Sequence, residues 1–215
     1  MATRRPGTDN PPVNDHAAQP DFSVKPTITG EKVTLRPFRP AEDLPAIREM
    51  LRDPDVIRLT GSAHTSEPEP WDEAEEERVR QWYATRNEQP DRLDLAIVDR
   101  ATGGFVGETA LNQWDAGNRT CNFRIIVAAP GRDRGLGTEA TRLTVGHGFE
   151  RLGLHRIELG VFAFNPRARR AYEKVGFVAE GVRREALRFD GEWIDDVQMA
   201  ILDHEWARHR GHPDS

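Results

Sequence analysis

"GRDRGLGTEA", at residues 131–140, places two glycines and two arginines at the start of a helical pattern. Glycine permits positive φ and close approach to the backbone, and the first turn of a helix has unpaired N–H groups with a partial positive charge. Arg132 and Arg134 can add charge-assisted contacts to phosphate oxygens. The stretch therefore predicts a pyrophosphate-binding helix start, with Gly135 and Gly137 allowing the close approach.

A dinucleotide-binding fingerprint is the main alternative. Gly135, Gly137 and Ala140 fit G-x-G-x-x-G/A, and Glu158 follows about 20 residues later. However, the loop "AAPGRDR" separates Val127 from Gly135, whereas the fingerprint follows its strand almost directly. Glu158 also falls in mid-strand, and the preceding strands have the pattern of hairpins rather than βαβ units. A nicotinamide or flavin site is therefore the weaker hypothesis, as is an ordinary helix start with surface arginines.

Length, charge and cysteine count limit the kinds of protein that this sequence can encode. A chain of 215 residues is expected to form one domain with a sizeable core. A net charge of −6 argues against a general nucleic-acid binder and weakly favours cationic substrates such as amines. The single cysteine, Cys121, predicts a reducing compartment and is interpreted as a buried strand residue rather than a reactive thiol.

The chain carries no signal for a membrane. No apolar run approaches the ~18 residues of a membrane span, and no apolar segment follows the basic start "MATRRPGTDN". We therefore expect a cytoplasmic protein without a membrane partner. Residues 1–27 are rich in proline and polar residues and are predicted to be a disordered tail, followed by a domain at 28–205 and a C-terminal tail at 206–215.

The hydrophobic periodicity predicts an α+β (mixed α/β) fold. The expected elements are strand 32–38, helices 40–54 and 67–87, strands 92–99, 105–114 and 120–127, a helix of about fourteen residues ending near Leu152, strand 155–163, a short helix between Pro166 and Gly176, and two strands joined at Asp190–Gly191. Together they indicate a twisted, mostly antiparallel sheet of about seven strands, with helices on both faces.

Two motifs resemble those of the GNAT (GCN5-related) N-acetyltransferase family. They are Arg132-x-x-Gly135-x-Gly137, and Asn165-x-x-Ala168-x-x-x-Tyr172-x-x-x-Gly176-Phe177 about 30 residues downstream. The opening "VTLRPFRPAEDLPAI", at 33–47, resembles the first strand and helix of the branch that contains the ribosomal-protein N-terminal acetyltransferases. The resemblance covers about residues 33–202.

The resemblance implies a site for acetyl-CoA as co-substrate. Strands 120–127 and 156–162 would be parallel neighbours that splay apart and admit the pantetheine. The free backbone edge at Ile125, Ile126 and Val127 would pair with it. The pyrophosphate would lie on the N–H groups of a loop and helix start that comprise Arg132, Arg134, Gly135, Leu136, Gly137 and Thr138. No metal is expected, because the histidines lack metal-ligand spacing.

The family resemblance also implies three catalytic tasks for direct acetyl transfer to an amine. Tyr172 matches the position that protonates the leaving sulfur, although it could instead be a packed aromatic residue. The N–H near Val127 would stabilise the oxyanion. Asn165 matches a residue that hydrogen-bonds the cofactor or an ordered water, and it is also a natural helix N-cap.

The sequence offers several candidates for the general base. Glu108 is a candidate because it is predicted to share a strand face with Val106 and Ala110, where apolar neighbours would raise its pKa. It could equally form an ion pair, for example with Arg124. Asp195 and a water relay are further alternatives, whereas His147 and His155 are expected to be structural.

The sequence therefore favours an acetyl-CoA-dependent N-acetyltransferase acting on a primary amine. The acceptor could be a protein N-terminus, a polyamine, an antibiotic or another small amino compound. The acceptor site is expected to comprise the segment 53–77, the strand with Trp114 and the terminal hairpin. A non-catalytic acyl-CoA sensor is the alternative function, no nucleic-acid partner is expected, and a homodimer is left open.

Overall fold

The computed structural model describes residues 20–210. Residues 1–19 and 211–215, the outer parts of the predicted tails at 1–27 and 206–215, lie outside the described residues. The elements are β1 (Ile28–Thr29), β2 (Val33–Arg36), α1 (Pro40–Arg52), α2 (Pro54–Thr60), α3 (Glu73–Ala84), β3 (Leu93–Asp99), β4 (Phe105–Asp115), β5 (Thr120–Val127), α4 (Leu136–Glu150), β6 (Arg156–Phe162), α5 (Pro166–Val175), β7 (Val178–Phe189), β8 (Glu192–Leu202) and α6 (Asp203–His209).

The strands form one eight-stranded sheet in the order β1-β2-β3-β4-β5-β6-β8-β7. Every neighbouring pair is antiparallel except β5 and β6. The predicted mixed, mostly antiparallel sheet is therefore confirmed. The eighth strand, β1, contains only two residues and is too short to leave an alternating pattern in the sequence.

The parallel pair separates after a short ladder. Only three pairs join β5 to β6, and they are Thr120–Arg156, Cys121–Ile157 and Asn122–Glu158. Beyond Asn122, β5 remains paired with β4 and β6 remains paired with β8. The two halves of the sheet therefore diverge along β5 and β6, as the predicted splay requires.

Helices cover both faces of the sheet, because alternate strand residues belong to different cores. The main core contains Leu95 and Phe123 together with residues of α4, α5 and α6. The opposite face packs Ala96 against α1 and α3, through Ile47 and Tyr83. No helix within residues 20–210 is long and apolar enough to cross a membrane.

The folded domain extends beyond both predicted boundaries. Phe22 is 2% exposed and its ring lies 5.7 Å from that of Trp114. Nζ of Lys25 donates hydrogen bonds to the backbone carbonyls of Gln89 and Arg92. At the other end Trp206 is 5% exposed and packs on α4. Residues 20–27 and 206–209 are therefore ordered parts of the domain, since these side chains fill its core.

The segment between α1 and β3 also differs from the prediction. A long helix was expected at 67–87, whereas the structure has α2 at Pro54–Thr60 and α3 starting at Glu73. Asp53 caps α2 by accepting a hydrogen bond from the N–H of Asp55, and Pro54 occupies the first turn. The proline interpreted as the end of one helix therefore starts the next.

Candidate functional site

A cleft of about 460 Å³ opens where β5 and β6 diverge. Its walls come from residues 123–127 of β5, residues 160–162 of β6, the start of α4, one face of α5 and the end of α2. The sheet produces the cleft because the last parallel pair, Asn122–Glu158, leaves the following backbone of β5 without a partner on that side.

The start of α4 forms one end of the cleft. Gly135 caps the helix with φ of 78°, a left-handed conformation that favours glycine, and no side chain caps the first turn. A Cβ on Gly137 would lie 3.1 Å from Cγ2 of Val127, so this glycine keeps the helix close to β5. Gly135, Gly137 and Thr138 all line the cleft. The uncapped N–H groups of the first turn are available to an anion.

The two arginines of the loop have different positions. Arg132 lines the cleft, but its guanidinium is paired with Asp53 at 2.7 Å and Asp55 at 2.9 Å. It therefore ties the loop to α2, and a phosphate contact would have to share these groups. Arg134 points away from the cleft to Asp99, 2.7 Å distant, so its predicted place beside a phosphate is not what the structure has.

The edge of β5 contributes its last residues to the cleft. Ile125, Ile126 and Val127 line it, and their pairing with a cofactor stays a prediction. Leu136, in contrast, turns its side chain into the main core and is 2% exposed. Its side chain is therefore structural, and only its backbone N–H can contribute to the helix start.

Tyr172 projects from α5 into the cleft wall. Its ring packs edge-on against Phe123 with centroids 6.1 Å apart, and its side chain is almost fully buried. Burial raises the pKa of the Tyr172 phenol to about 12. Within residues 20–210 the hydroxyl has no hydrogen-bond partner. A phenol held in this way remains protonated at neutral pH and can donate a proton toward the cleft.

Asn165 begins α5 and also lines the cleft. Its Oδ1 accepts a hydrogen bond of 3.1 Å from the N–H of Ala168. The N-cap role predicted from the sequence is therefore present. Its Nδ2 group is not used in this cap and is left for a ligand or a water.

Glu108 lies on the opposite face of β4 from Val106, which corrects the predicted shared face. The register between β3 and β4 shifts at Ile97/Val98, so Gly107 pairs with Ile97 whereas Phe105 pairs with Val98. This bulge leaves Val106 in the main core, while Glu108 faces the α1–α3 side with its pairing partner Ile126. A side chain at Gly107 would collide with the backbone oxygen of Ile126, so the bulge needs glycine.

The surroundings of Glu108 raise its pKa. The hydroxyl of Tyr83 donates a 2.6 Å hydrogen bond to Oε2 of Glu108. Burial raises the pKa of the carboxyl above its ordinary value, although the Tyr83 hydrogen bond and the charges of Arg86 and Arg124 oppose the shift. Arg124 forms no ion pair within residues 20–210, so the alternative of a Glu108–Arg124 ion pair is not what the structure has.

The remaining candidates have structural positions. Oδ1 of Asp195 accepts a 2.8 Å hydrogen bond from the N–H of Glu185 at a bulge of β7. His155 is exposed and lies 3.3 Å from Asp203, and His147 is on α4 with its pKa lowered by burial. Cys121 is fully buried, which raises the pKa of its thiol to about 12. Within residues 20–210, no group of three His, Cys, Asp or Glu side chains could hold a metal ion.

The structure adds wall residues that the motifs did not single out. Arg167, Arg170 and Lys174 of α5 line the cleft, and Arg170 and Lys174 form no ion pair within the described residues. Their spacing of three and four residues places them on one helix face, a signal that the sequence contained. Val56 and Leu59 of α2 also line the cleft. The two motifs did not indicate this, because α2 is distant in the sequence from the other wall residues.

Sequence comparison relates this chain to a known family of proteins. Residues 32–178 match the family model described as "Acetyltransferase (GNAT) domain". The spermidine N(1)-acetyltransferase of Escherichia coli (strain K12) is 27% identical over 183 residues, which are 85% of this chain and 92% of the relative.

Solved structures agree with this match. The crystal structure of spermidine N-acetyltransferase from Vibrio cholerae in complex with CoA and spermine has a TM-score of 0.71 at 24% identity, covering 83% of this chain and 99% of that chain. At this identity the likeness shows a common fold. A GCN5-related N-acetyltransferase from Brucella melitensis has a TM-score of 0.68 at 25% identity, covering 90% of this chain and 86% of that one.

Proposed function

This chain belongs to the GNAT acetyltransferase family, and from this premise we propose that it transfers the acetyl group of acetyl-CoA to a primary amine of a small cationic acceptor. A polyamine is the first candidate, because a spermidine N(1)-acetyltransferase is 27% identical over 85% of the chain.

One observation carries the proposal. The cleft joins the uncapped start of α4 to the unpartnered hydroxyl of Tyr172 along the open edge of β5. Acetyl-CoA has phosphates at one end, a chain of amides in the middle and a thioester at the other end. The order of groups along the cleft matches this order of groups along the molecule.

Binding of acetyl-CoA would use backbone groups and cationic side chains that have no ion-pair partner within residues 20–210. The first-turn N–H groups of α4 receive the pyrophosphate, and the cationic face of α5, with Arg170 and Lys174, adds electrostatic attraction. The unpaired edge of β5 at Ile125 to Val127 pairs with the pantetheine amides as an added strand would. Arg132 holds the loop against α2 through Asp53, so its main contribution is to position these groups.

The transfer needs a balanced movement of protons. The amine nitrogen attacks the thioester carbonyl, a C–N bond forms, and collapse of the tetrahedral intermediate breaks the C–S bond. Tyr172 donates its proton to the departing thiolate, and a free backbone N–H of the β5 edge close to Tyr172 stabilises the oxyanion. The raised pKa of the buried phenol keeps it protonated at neutral pH, so its proton is present when the thiolate departs.

Glu108 is the proposed acceptor of the amine proton. It pairs across the sheet with Ile126, which lines the cleft, and its raised pKa makes it a stronger base than an exposed carboxylate. Tyr83 holds the carboxylate in position through its 2.6 Å hydrogen bond. Proton transfer can run directly or through one water.

A test separates catalysis from simple acyl-CoA sensing. The protein is mixed with acetyl-CoA and one of spermidine, 1,4-diaminobutane, an N-terminal peptide or an aminoglycoside, and free thiol is followed with time. Mass spectrometry then checks for one added acetyl group on the amine. The expected result is thiol release with a polyamine and not with acetyl-CoA alone.

Thermal unfolding is the second measurement in this test. Acetyl-CoA should raise the melting temperature, since a ligand that binds only the folded state stabilises it, whereas NAD should not. Stabilisation without thiol release for every amine would favour the sensor. Stabilisation by NAD and none by acetyl-CoA would overturn the proposed use of the cleft.

A further inference from the structure

A buried carboxylate lies beside the cleft and takes no part in the roles described above. Asp196 is on β8, is 7% exposed, and pairs with Phe162 at the end of β6. Its neighbour on β6 is Gly160, which is exposed and lines the cleft. A Cβ on Gly160 would lie 2.7 Å from Oδ1 and 2.8 Å from Oδ2 of Asp196. The carboxylate therefore lies directly over the part of the β6 wall where a side chain is missing.

The carboxylate has weak charge compensation. Nε2 of Gln198 donates a neutral hydrogen bond of 2.8 Å to it. The nearest cation is Arg183 at 3.5 Å, and this arginine is on the edge strand β7 with a side chain that is 67% exposed. An ion pair of that length and exposure contributes little. Burial raises the pKa of the Asp196 carboxyl, so a second cation at this position would stabilise its ionised form.

The position of Asp196 also distinguishes it from the reacting centre. The amine that attacks the thioester must lose its charge and must lie near the edge of β5. Asp196 lies next to Gly160, on the β6 wall across the cleft from β5, where it can hold a group that stays protonated. Across the cleft, Arg124 of β5 lies beyond the last parallel pair and is exposed.

We propose that Asp196 binds a second, non-reacting ammonium group of the acceptor, and that the absence of a side chain at Gly160 leaves the carboxylate accessible from the cleft. The acceptor would then be a diamine or polyamine rather than a monoamine. This inference rests on the proposed amine acetylation. An ammonium at Gly160 would donate a charge-assisted hydrogen bond to the buried carboxylate and set the distance to the amine that is acetylated.

The test compares two acceptors of equal chain length, 1,4-diaminobutane and 1-aminobutane. For Asp196→Asn, KM for the diamine should rise roughly 10- to 100-fold, as expected for a lost charge-assisted contact. KM for the monoamine, kcat at saturating amine and affinity for acetyl-CoA should stay close to wild type. A KM effect confined to the diamine is a result that a purely structural role would not produce.

Two further variants control for the fold. Asp195→Asn changes the adjacent carboxylate, whose oxygen still accepts from the N–H of Glu185, and should leave both KM values unchanged. Gly160→Ala keeps the charge of Asp196 but places a methyl group 2.7 Å from it, and should raise KM for the diamine selectively. Melting temperatures of all three variants identify any that fail to fold.

Calorimetric titration of 1,4-diaminobutane into the CoA-bound protein gives a readout independent of turnover. If the wild type binds the diamine without acetylating it and Asp196→Asn does not bind, the proposed catalysis is wrong and this inference stands. If Asp196→Asn binds the diamine as tightly as Asp195→Asn, or the wild type binds none, this inference is overturned. Equal losses for monoamine and diamine would overturn it as well.

Discussion

The hydroxyl of Tyr83 donates a 2.6 Å hydrogen bond to Oε2 of Glu108, which joins α3 to the central strand β4 next to the cleft. Tyr83 is 2% exposed, and burial raises the pKa of its phenol, so the hydroxyl remains a donor across the accessible pH range. The pair orients a carboxylate whose own pKa is raised. Because the folded state disfavours the ionised form of Glu108, the free energy of unfolding should depend on pH.

Glu108→Gln should make the protein more stable at neutral pH while reducing amine acetylation. The folded pKa of Glu108 lies above its ordinary value of 4.5, so the folded state favours the protonated form. The contribution of Glu108 to the stability of the folded state is fully present below pH 4.5 and is lost as pH rises through the folded pKa. The increase in the free energy of unfolding caused by Glu108→Gln should therefore be absent at acidic pH and reach a plateau above the folded pKa.

Urea unfolding at several pH values measures the free energy of unfolding for this comparison. Tyr83 can still donate to the amide oxygen of Gln, so the packing is retained. A difference in stability between variant and wild type that does not change with pH would show that Glu108 titrates normally. Retained turnover in the Gln variant would assign the base to another group or to water.

Tyr172→Phe should lower turnover about 10²–10⁴-fold with little change in melting temperature or acetyl-CoA affinity. The ring packing on Phe123 is kept and only the unpartnered hydroxyl is lost. Because the pKa of the phenol is about 12, the wild-type rate should show no alkaline decrease from Tyr172 below pH 10. Steady-state rates across pH check both points, and wild-type turnover in the Phe variant would make Tyr172 a packing residue.

Gly137→Asp should weaken acetyl-CoA binding by at least about 100-fold, because a side chain and a negative charge would enter the phosphate end of the cleft. An acidic residue in a first helical turn is otherwise favourable, so the fold should persist. Calorimetry measures the affinity. Gly181→Asp is the matched control, since a Cβ there has no atom within 4 Å, and it should bind normally. Equal affinity in both variants would place the phosphates elsewhere.

Phe22→Ala should destabilise the domain by about 3 kcal/mol, because a large buried ring is replaced by a cavity. Val24→Ala, at a position that is 61% exposed, should change stability by less than about 0.5 kcal/mol. Denaturant unfolding compares the two. Removal of residues 1–27 should be at least as damaging as Phe22→Ala, and an unchanged midpoint after that deletion would show that the segment does not contribute to the core.

Features that depend on neighbouring residues were predicted correctly, whereas features that depend on distant strands were not. The helix start at Gly135, the cap at Asn165 and the turn at Asp190–Gly191 depend on neighbouring residues, and the structure contains all three. The face of Glu108 was wrong because one bulge at Gly107 reverses the alternation, and the bulge depends on pairing with β3. The tail boundary was wrong because Phe22 packs on Trp114, which is distant in the sequence.

The amino-acid sequence was sufficient to indicate the family, the mostly antiparallel sheet, and the residues that begin α4 and α5. The sheet elements and the helix starts follow from local backbone preferences and from the period of apolar positions, which act within a few residues. The family and the splay of the parallel pair come from the resemblance of the two motifs. The folded structure was needed to show that Arg134 turns to Asp99, that Arg132 is paired with Asp53, and that Asp196 lies over Gly160. A long side chain takes its direction from charges and space supplied by other strands, and those partners are defined only when the chain has folded.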